Sequence, residues 1–233
     1  MKILINDLLQ SADASGVPDA IKSPALSDIY TAATEFTVTF PDPVTVNCIG
    51  IGYTDADTVI IDDGQSIDVI SITQDQPYLN GLYLIDELLN YEYEYGSQFT
   101  ISHNGTYMGR VALGQYRKLG TSPTKEIGFY TTNENRLTLS GQVIPGAGGF
   151  SGRRIDLDVR YKIDEDVYND IEAAFSNQIQ KGFPYFMLLD DEAHKLPATL
   201  RRFYGATDKP ISMLQSSSYQ FFYSYKFAFY ERF

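Results

Sequence analysis

The sequence predicts a mainly β protein: an N-terminal jelly-roll-like β-sandwich over residues 1–150, then a small α+β domain over residues 151–233 with one helix on a mostly antiparallel sheet. Three observations carry this prediction. Tyr and Phe number 18 and 14 in 233 residues, beside 18 Gly and 10 Pro, a balance that suits pleated, half-buried surfaces linked by turns. Short apolar runs recur through the first 144 residues with turn chemistry between them. Residues 154–163, RIDLDVRYKI, alternate polar and apolar without a break, and a helical period follows.

Residues 13–33, DASGVPDAIKSPALSDIYTAA, hold no sustained period and predict a long irregular arm. In EFTVTFPDPVTVNCIGIGY, Phe36, Val38 and Phe40 alternate with Thr, a turn follows at Pro41-Asp42-Pro43, and Val44 opens a second apolar run. Further strands are predicted at 58–61, 67–72, 82–85, 97–102, 107–113, 127–131 and 136–144. Turns between them fall at Asp62-Asp63-Gly64, Asn80-Gly81 and Asn104-Gly105. Asn-Gly pairs supply the positive φ of tight hairpins. A two-residue turn at Asn104-Gly105 would set Ile101 opposite Met108 but Phe99 opposite Arg110, which leaves the register open. PGAGGFSG, residues 145–152, is the sharpest compositional break and marks the predicted boundary.

Beyond it, Ile155, Leu157, Val159, Tyr161 and Ile163 share one face of a strand. Asp164 then caps a predicted helix, 165–180, whose apolar stripe is Val167, Ile171, Ala174, Phe175 and Ile179 and which Lys181-Gly182 closes. FPYFMLLD, the stretch around LRRFYGA, and the terminal YQFFYSYKFAFYERF complete the set of strands. The last has aromatics at nearly every odd position from Tyr219 to Phe229.

Composition removes several classes of function. With one cysteine, Cys48 in TVNCIGI, the chain has no intramolecular disulfide and no multi-thiolate metal site, and the apolar setting predicts a buried, inert thiol. Hydrophobic content of 43% with 21% charged residues is ordinary for a folded domain. No run approaches the ~18 apolar residues of a membrane span, and the opening MKILINDLLQSAD lacks a signal-length apolar stretch, which predicts synthesis in a cytosol. Net charge is uneven: residues 1–95 carry −14 and residues 96–233 carry +2. An acidic front half repels phosphate backbones, so nucleic acid is an unfavourable partner.

Residues suited to chemistry are few. The two histidines are His103, beside a turn, and His194 in DDEAHKLP. Asp190, Asp191, Glu192 and His194 form a cluster that suits a cation or acid–base work, and equally a solvated loop. Ser151 in GGFSGR lacks the second glycine of a nucleophile elbow. Gly146 and Gly148 begin a GxG that continues neither into a third glycine nor into a lysine, so no phosphate loop is predicted. The carboxylate pairs Asp55/Asp57 and Asp62/Asp63 suit calcium in a jelly-roll loop, or simple turn roles. From these residues we predict no catalytic residue and no cofactor, and leave a metal site open.

The order of features in EFTVTFPDPVTVNCIGIGYTDADTVII resembles the front of a discoidin-like or galactose-binding-like jelly roll. The stretch from YMGRVALGQYRKLG through SGQVIPGAGG, RRIDLDVRYKIDEDVYNDIEAAF and KGFPYFMLLDDEAHKLP resembles structural tail and tail-tip proteins of tailed bacteriophage virions. This resemblance implies a non-enzymatic virion component of the tail or baseplate, made in the host cytoplasm. Its partners would be other virion proteins and copies of itself; the charge split, −14 against +2, separately predicts that assembly runs chiefly through the near-neutral residues 151–233 with the front domain outward. Two alternatives follow: a carbohydrate-binding module that engages host surface glycan, and an envelope-glycan hydrolase.

Overall fold

The computed structural model describes residues 2–25, 28–72, 81–84, 97–118, 121–131, 136–137, 143–144, 151–162, 184–189, 202–207, 212–215 and 222–231. In chain order the first strands are β1 (Lys2–Asp7), β2 (Glu35–Thr39), β3 (Cys48–Ile51), β4 (Thr58–Asp62), β5 (Ile67–Ser71), β6 (Gly81–Leu84), β7 (Gln98–His103) and β8 (Val111–Lys118). They continue as β9 (Thr121–Thr131), β10 (Arg136–Leu137), β11 (Val143–Ile144), β12 (Ser151–Lys162), β13 (Tyr185–Leu188), β14 (Arg202–Thr207), β15 (Ser212–Gln215) and β16 (Phe222–Glu231). Among the described residues the one α-helix is α1 (Asp19–Lys22), and a 3-10 turn covers Leu8–Gln10. The protein is mainly β, as its sequence predicts. The predicted helix 165–180 lies outside the described residues.

Two antiparallel sheets account for nearly all strands. The larger has the order β6-β3-β8-β1-β13-β14-β16-β12-β9, with β15 added to β16, and the smaller has the order β2-β7-β4-β5. β10 and β11 form a separate short pair. The alternation in RIDLDVRYKI becomes β12, which pairs with β16 without a register shift from Arg154↔Tyr230 to Lys162↔Phe222. Ile155 on its inward face is buried, whereas Arg154 and Asp156 reach solvent and bond each other. The larger sheet runs across residue 150, since β12 pairs with β9 and β13 pairs with β1.

The main core lies between the sheets. Ile49, Ile51, Val111 and Leu113 of the larger sheet meet Phe36, Val38, Val59, Ile61, Phe99 and Ile101 of the smaller. Leu9 of the 3-10 turn and Ala14, Val17 and Ile21 of the irregular arm close this core. The arm is anchored rather than loose. Ser15 and Thr39 exchange backbone hydrogen bonds at 3.0 Å each, Tyr30 and Met108 exchange theirs at 2.7 and 3.0 Å, and the buried Tyr204 hydroxyl donates to the Pro24 carbonyl at 3.0 Å.

β3 is buried on both faces, because β13 and β14 also approach β6 and the larger sheet curls over. On the side away from the main core, Cys48 and Ala112 pack with Leu4, Phe186 and Tyr204. Gly50 occupies the closest point, where a Cβ would stand 2.2 Å from Cδ2 of Phe186. Cys48 is buried as the sequence predicts, and its thiol donates to the Gly114 carbonyl at 3.3 Å.

One buried ion pair fixes the start of the chain. Asp7 accepts from the Arg110 guanidinium through Oδ2, and from the Leu9 and Leu113 amides through Oδ1 at 3.1 Å each. Arg110 also donates to the Ile21 carbonyl at 2.9 Å, so one side chain joins β1, the arm and the start of β8. Burial raises the Asp7 carboxyl above its ordinary range, against the opposing pull of Arg110 and the two amides.

Candidate functional site

The predicted hairpin at Asn104-Gly105 is instead a crossover. β7 pairs with β2 and β4 in the smaller sheet, whereas β8 begins at Val111 in the larger one, so residues 104–110 carry the chain between sheets. The predicted strand at 107–113 accordingly shifts toward 118. Neither Asn104 nor Gly105 has a positive φ, and other forces select these residues. Asn104 Oδ1 accepts from the Asp57 and Thr58 amides at 2.9 and 3.0 Å, which ties the crossover to the start of β4. A Cβ on Gly105 would stand 2.3 Å from Asp55 Oδ1 and 2.6 Å from the Ala56 nitrogen.

Asp55 organises the facing loop. Its Oδ1 accepts from the Thr106 and Tyr107 amides at 2.8 and 3.1 Å, and its Oδ2 accepts from the Thr106 hydroxyl. Burial pushes this carboxyl upward, but those donors outweigh it and hold the pKa below the ordinary 3.8. Such an interaction stabilises the fold above pH 3.8 and is lost as the pH falls through the lowered folded value. Asp55→Ala is expected to cost about 1–3 kcal/mol, because it leaves two amides without their acceptor. Loss of hydrogen-exchange protection at Thr106 and Tyr107 would report the same event locally. The other carboxylates of the predicted pairs also serve turns: Asp62 accepts from the Gly64 amide, and Asp63 from the Gln65 and Ser66 amides. These bonds match the turn predicted at Asp62-Asp63-Gly64, where Gly64 adopts φ +82° between β4 and β5.

Above this loop two tyrosine rings, Tyr53 and Tyr107, lie 5.4 Å apart at an angle of 41°. Tyr53 has φ +55°, a conformation that costs a bulky residue roughly 1–3 kcal/mol. Gly109 explains how it is held, since the Gly109 amide donates to the Tyr53 carbonyl at 2.8 Å and a Cβ there would strike the Gly52 and Tyr53 oxygens. Both tyrosines are half-buried, and Tyr53 also packs against the cluster of Leu4, Cys48, Ala112, Phe186 and Tyr204.

His103 ends β7 beneath the loop and is 7% exposed. Neither ring nitrogen has a partner in hydrogen-bond geometry. Burial lowers its pKa below the ordinary 6.5, against the raising influence of Asp55 and the Ala33 backbone. Below pH 6.5 the unfolded chain therefore takes up a proton that the folded chain does not, and stability falls until the folded value is passed. His103→Phe should remove this loss. Denaturant unfolding between pH 7.5 and pH 5 tests it, and parallel curves for the two proteins would refute the assignment.

The smaller sheet offers a second feature. β5 is its last strand among the described residues, and Ile67 and Val69 on its outer face are 64% and 53% exposed. Sequence reading placed this strand but not its position at an edge, which depends on pairing with β4 alone. Of the remaining candidates, Ser151 lies at the start of β12. Asp190, Asp191, Glu192, His194, Gly146 and Gly148 lie outside the described residues. Among the described residues no three His, Cys, Asp or Glu side chains gather closely enough to hold a metal ion. Nor is any described helix long and apolar enough to cross a membrane. Comparison of the chain with protein-family profiles, with curated proteins and with solved structures returns no match.

Proposed function

We propose that the protein is a non-enzymatic structural subunit of a tailed-bacteriophage virion, placed in the tail or baseplate, and that it works by associating with other virion proteins and with copies of itself. The observation that carries this reading is the surface of β5, where Ile67 and Val69 are left in water on the last described strand of the smaller sheet and suit contact with another virion protein. Large apolar side chains at a sheet edge favour contact with another chain. Among the described residues, the candidate carboxylates Asp55, Asp62 and Asp63 accept hydrogen bonds that set loops, as a scaffold requires. A mass-spectrometric inventory of purified particles tests the reading. The protein should appear at a fixed copy number, and its absence from the particles would reject it.

A second reading, a module that binds host surface glycan, is favoured by the Tyr53–Tyr107 pair and the strained backbone beneath it. Sugar rings stack on aromatic faces, and tyrosine also supplies a hydroxyl. Binding of the protein to a glycan array, abolished by Tyr107→Ala with stability retained, would establish it.

A further inference from the structure

We propose that β5 receives an extended, basic and apolar segment of a different protein, which adds to the smaller sheet as a fifth strand. This inference rests on the assembly reading and names the surface and the chemistry of the partner. Strand addition needs an edge that is regular. β5 pairs with β4 from Thr58↔Ser71 to Asp62↔Ile67 without a register shift, and it contains no proline or lysine. Its outer face sets Val69 opposite the half-buried Ile60, so the apolar strip of Ile60, Ile67 and Val69 continues onto the neighbouring strand.

Charge decides what kind of strand fits. Residues 23–109 contain thirteen Asp or Glu and no Lys or Arg, and all four described strands of the smaller sheet lie within this stretch. Asp62 and Asp63 stand at the turn into β5, and beyond its far end the Ile72 amide donates to the Asp57 carbonyl at 2.8 Å. A second copy would bring the same excess of negative charge to the contact. A segment alternating Lys or Arg with β-branched residues meets both demands, since it covers the apolar strip and neutralises the rim.

The test uses the full-length protein and a fluorescein-labelled octapeptide alternating Lys and Val, followed by fluorescence anisotropy. Binding is expected for this peptide, weakening with added salt, and not for the Glu–Val counterpart or for a backbone N-methylated Lys–Val peptide that cannot form a ladder. Val69→Lys should weaken binding about tenfold, since it removes an apolar cross-strand contact and sets like charges face to face. Thr39→Lys adds the same charge on the opposite edge strand, β2, and should leave binding within about twofold of the parent. Equal effects of the two substitutions, equal binding of the Glu–Val or N-methylated peptide, or a β5-dependent dimer in sedimentation would each overturn the proposal. Peptide binding by a protein absent from purified particles would leave the surface assigned and reject the virion role. Presence in particles without peptide binding would do the reverse.

Discussion

Arg110→Met is expected to destabilise the protein by about 3–5 kcal/mol, because it leaves the Asp7 carboxylate buried without its cation. The side chains of Arg110 and Asp7 are 7% and 11% exposed, so water does little to replace the lost partner. Three segments loosen together, since Arg110 also holds the Ile21 carbonyl and Asp7 also holds the Leu9 and Leu113 amides. A pH signature separates this account from simple loss of packing. Asp7 already has a raised carboxyl, and without Arg110 it rises further, so the folded variant takes up a proton more readily than the unfolded chain. The deficit should therefore shrink as the pH is lowered from 7 toward 5. Asp7→Asn combined with Arg110→Met should recover part of the loss at pH 7. A deficit that is constant with pH would show that the missing charge is not its cause.

Gly50→Val is the second large effect, at about 3 kcal/mol, near the upper end for overpacking. β3 has no free face: Ile49 and Ile51 fill the space toward the smaller sheet, and Phe186 covers Gly50 from the other side. The Phe186 ring is itself held, packed against Tyr204 with ring centres 4.5 Å apart. Phe186→Ala alone should cost about 3–5 kcal/mol by leaving a cavity. The double variant should cost less than the sum of the two by at least about 1 kcal/mol, since each change relieves the other. Denaturant melts of the three variants measure this coupling. Additive costs would mean that Gly50 and Phe186 do not share the space.

Local pattern made some of this legible. Strict alternation announced β12, the aromatic run announced β16, and Asp62-Asp63-Gly64 announced the turn between β4 and β5. β1 escaped because Ile3 and Leu4 are both buried, so KILIND shows no alternation between a wet and a dry face. β15, SMLQ, is too short to show a period. Asn104-Gly105 was readable as a turn but not as a crossover, because local chemistry does not say whether the next strand returns to the same sheet. At the candidate site, both tyrosines were visible as residues while the strain at Tyr53 was not, since it comes from the approach of Gly109 more than fifty residues later. The Asp7–Arg110 pair spans 103 residues and leaves no short-range trace.

The position of β1 also bears on how the chain is made. Its two neighbours are β8 and β13, and Ile3 pairs with Met187. At a synthesis rate of roughly 5–20 residues per second, β1 leaves the ribosome some 10–40 s before its second partner exists. During that interval Ile3 and Leu4 have one wall missing, and the growing sheet presents an unpaired inner strand in addition to its final edges. Closure of such distant contacts is intrinsically slow, and it leaves the nascent chain open to mispairing with its neighbours on the same message. Chaperone engagement should therefore peak before residues 185–188 emerge and decline once they have, a timing set by where the first strand sits in the sheet.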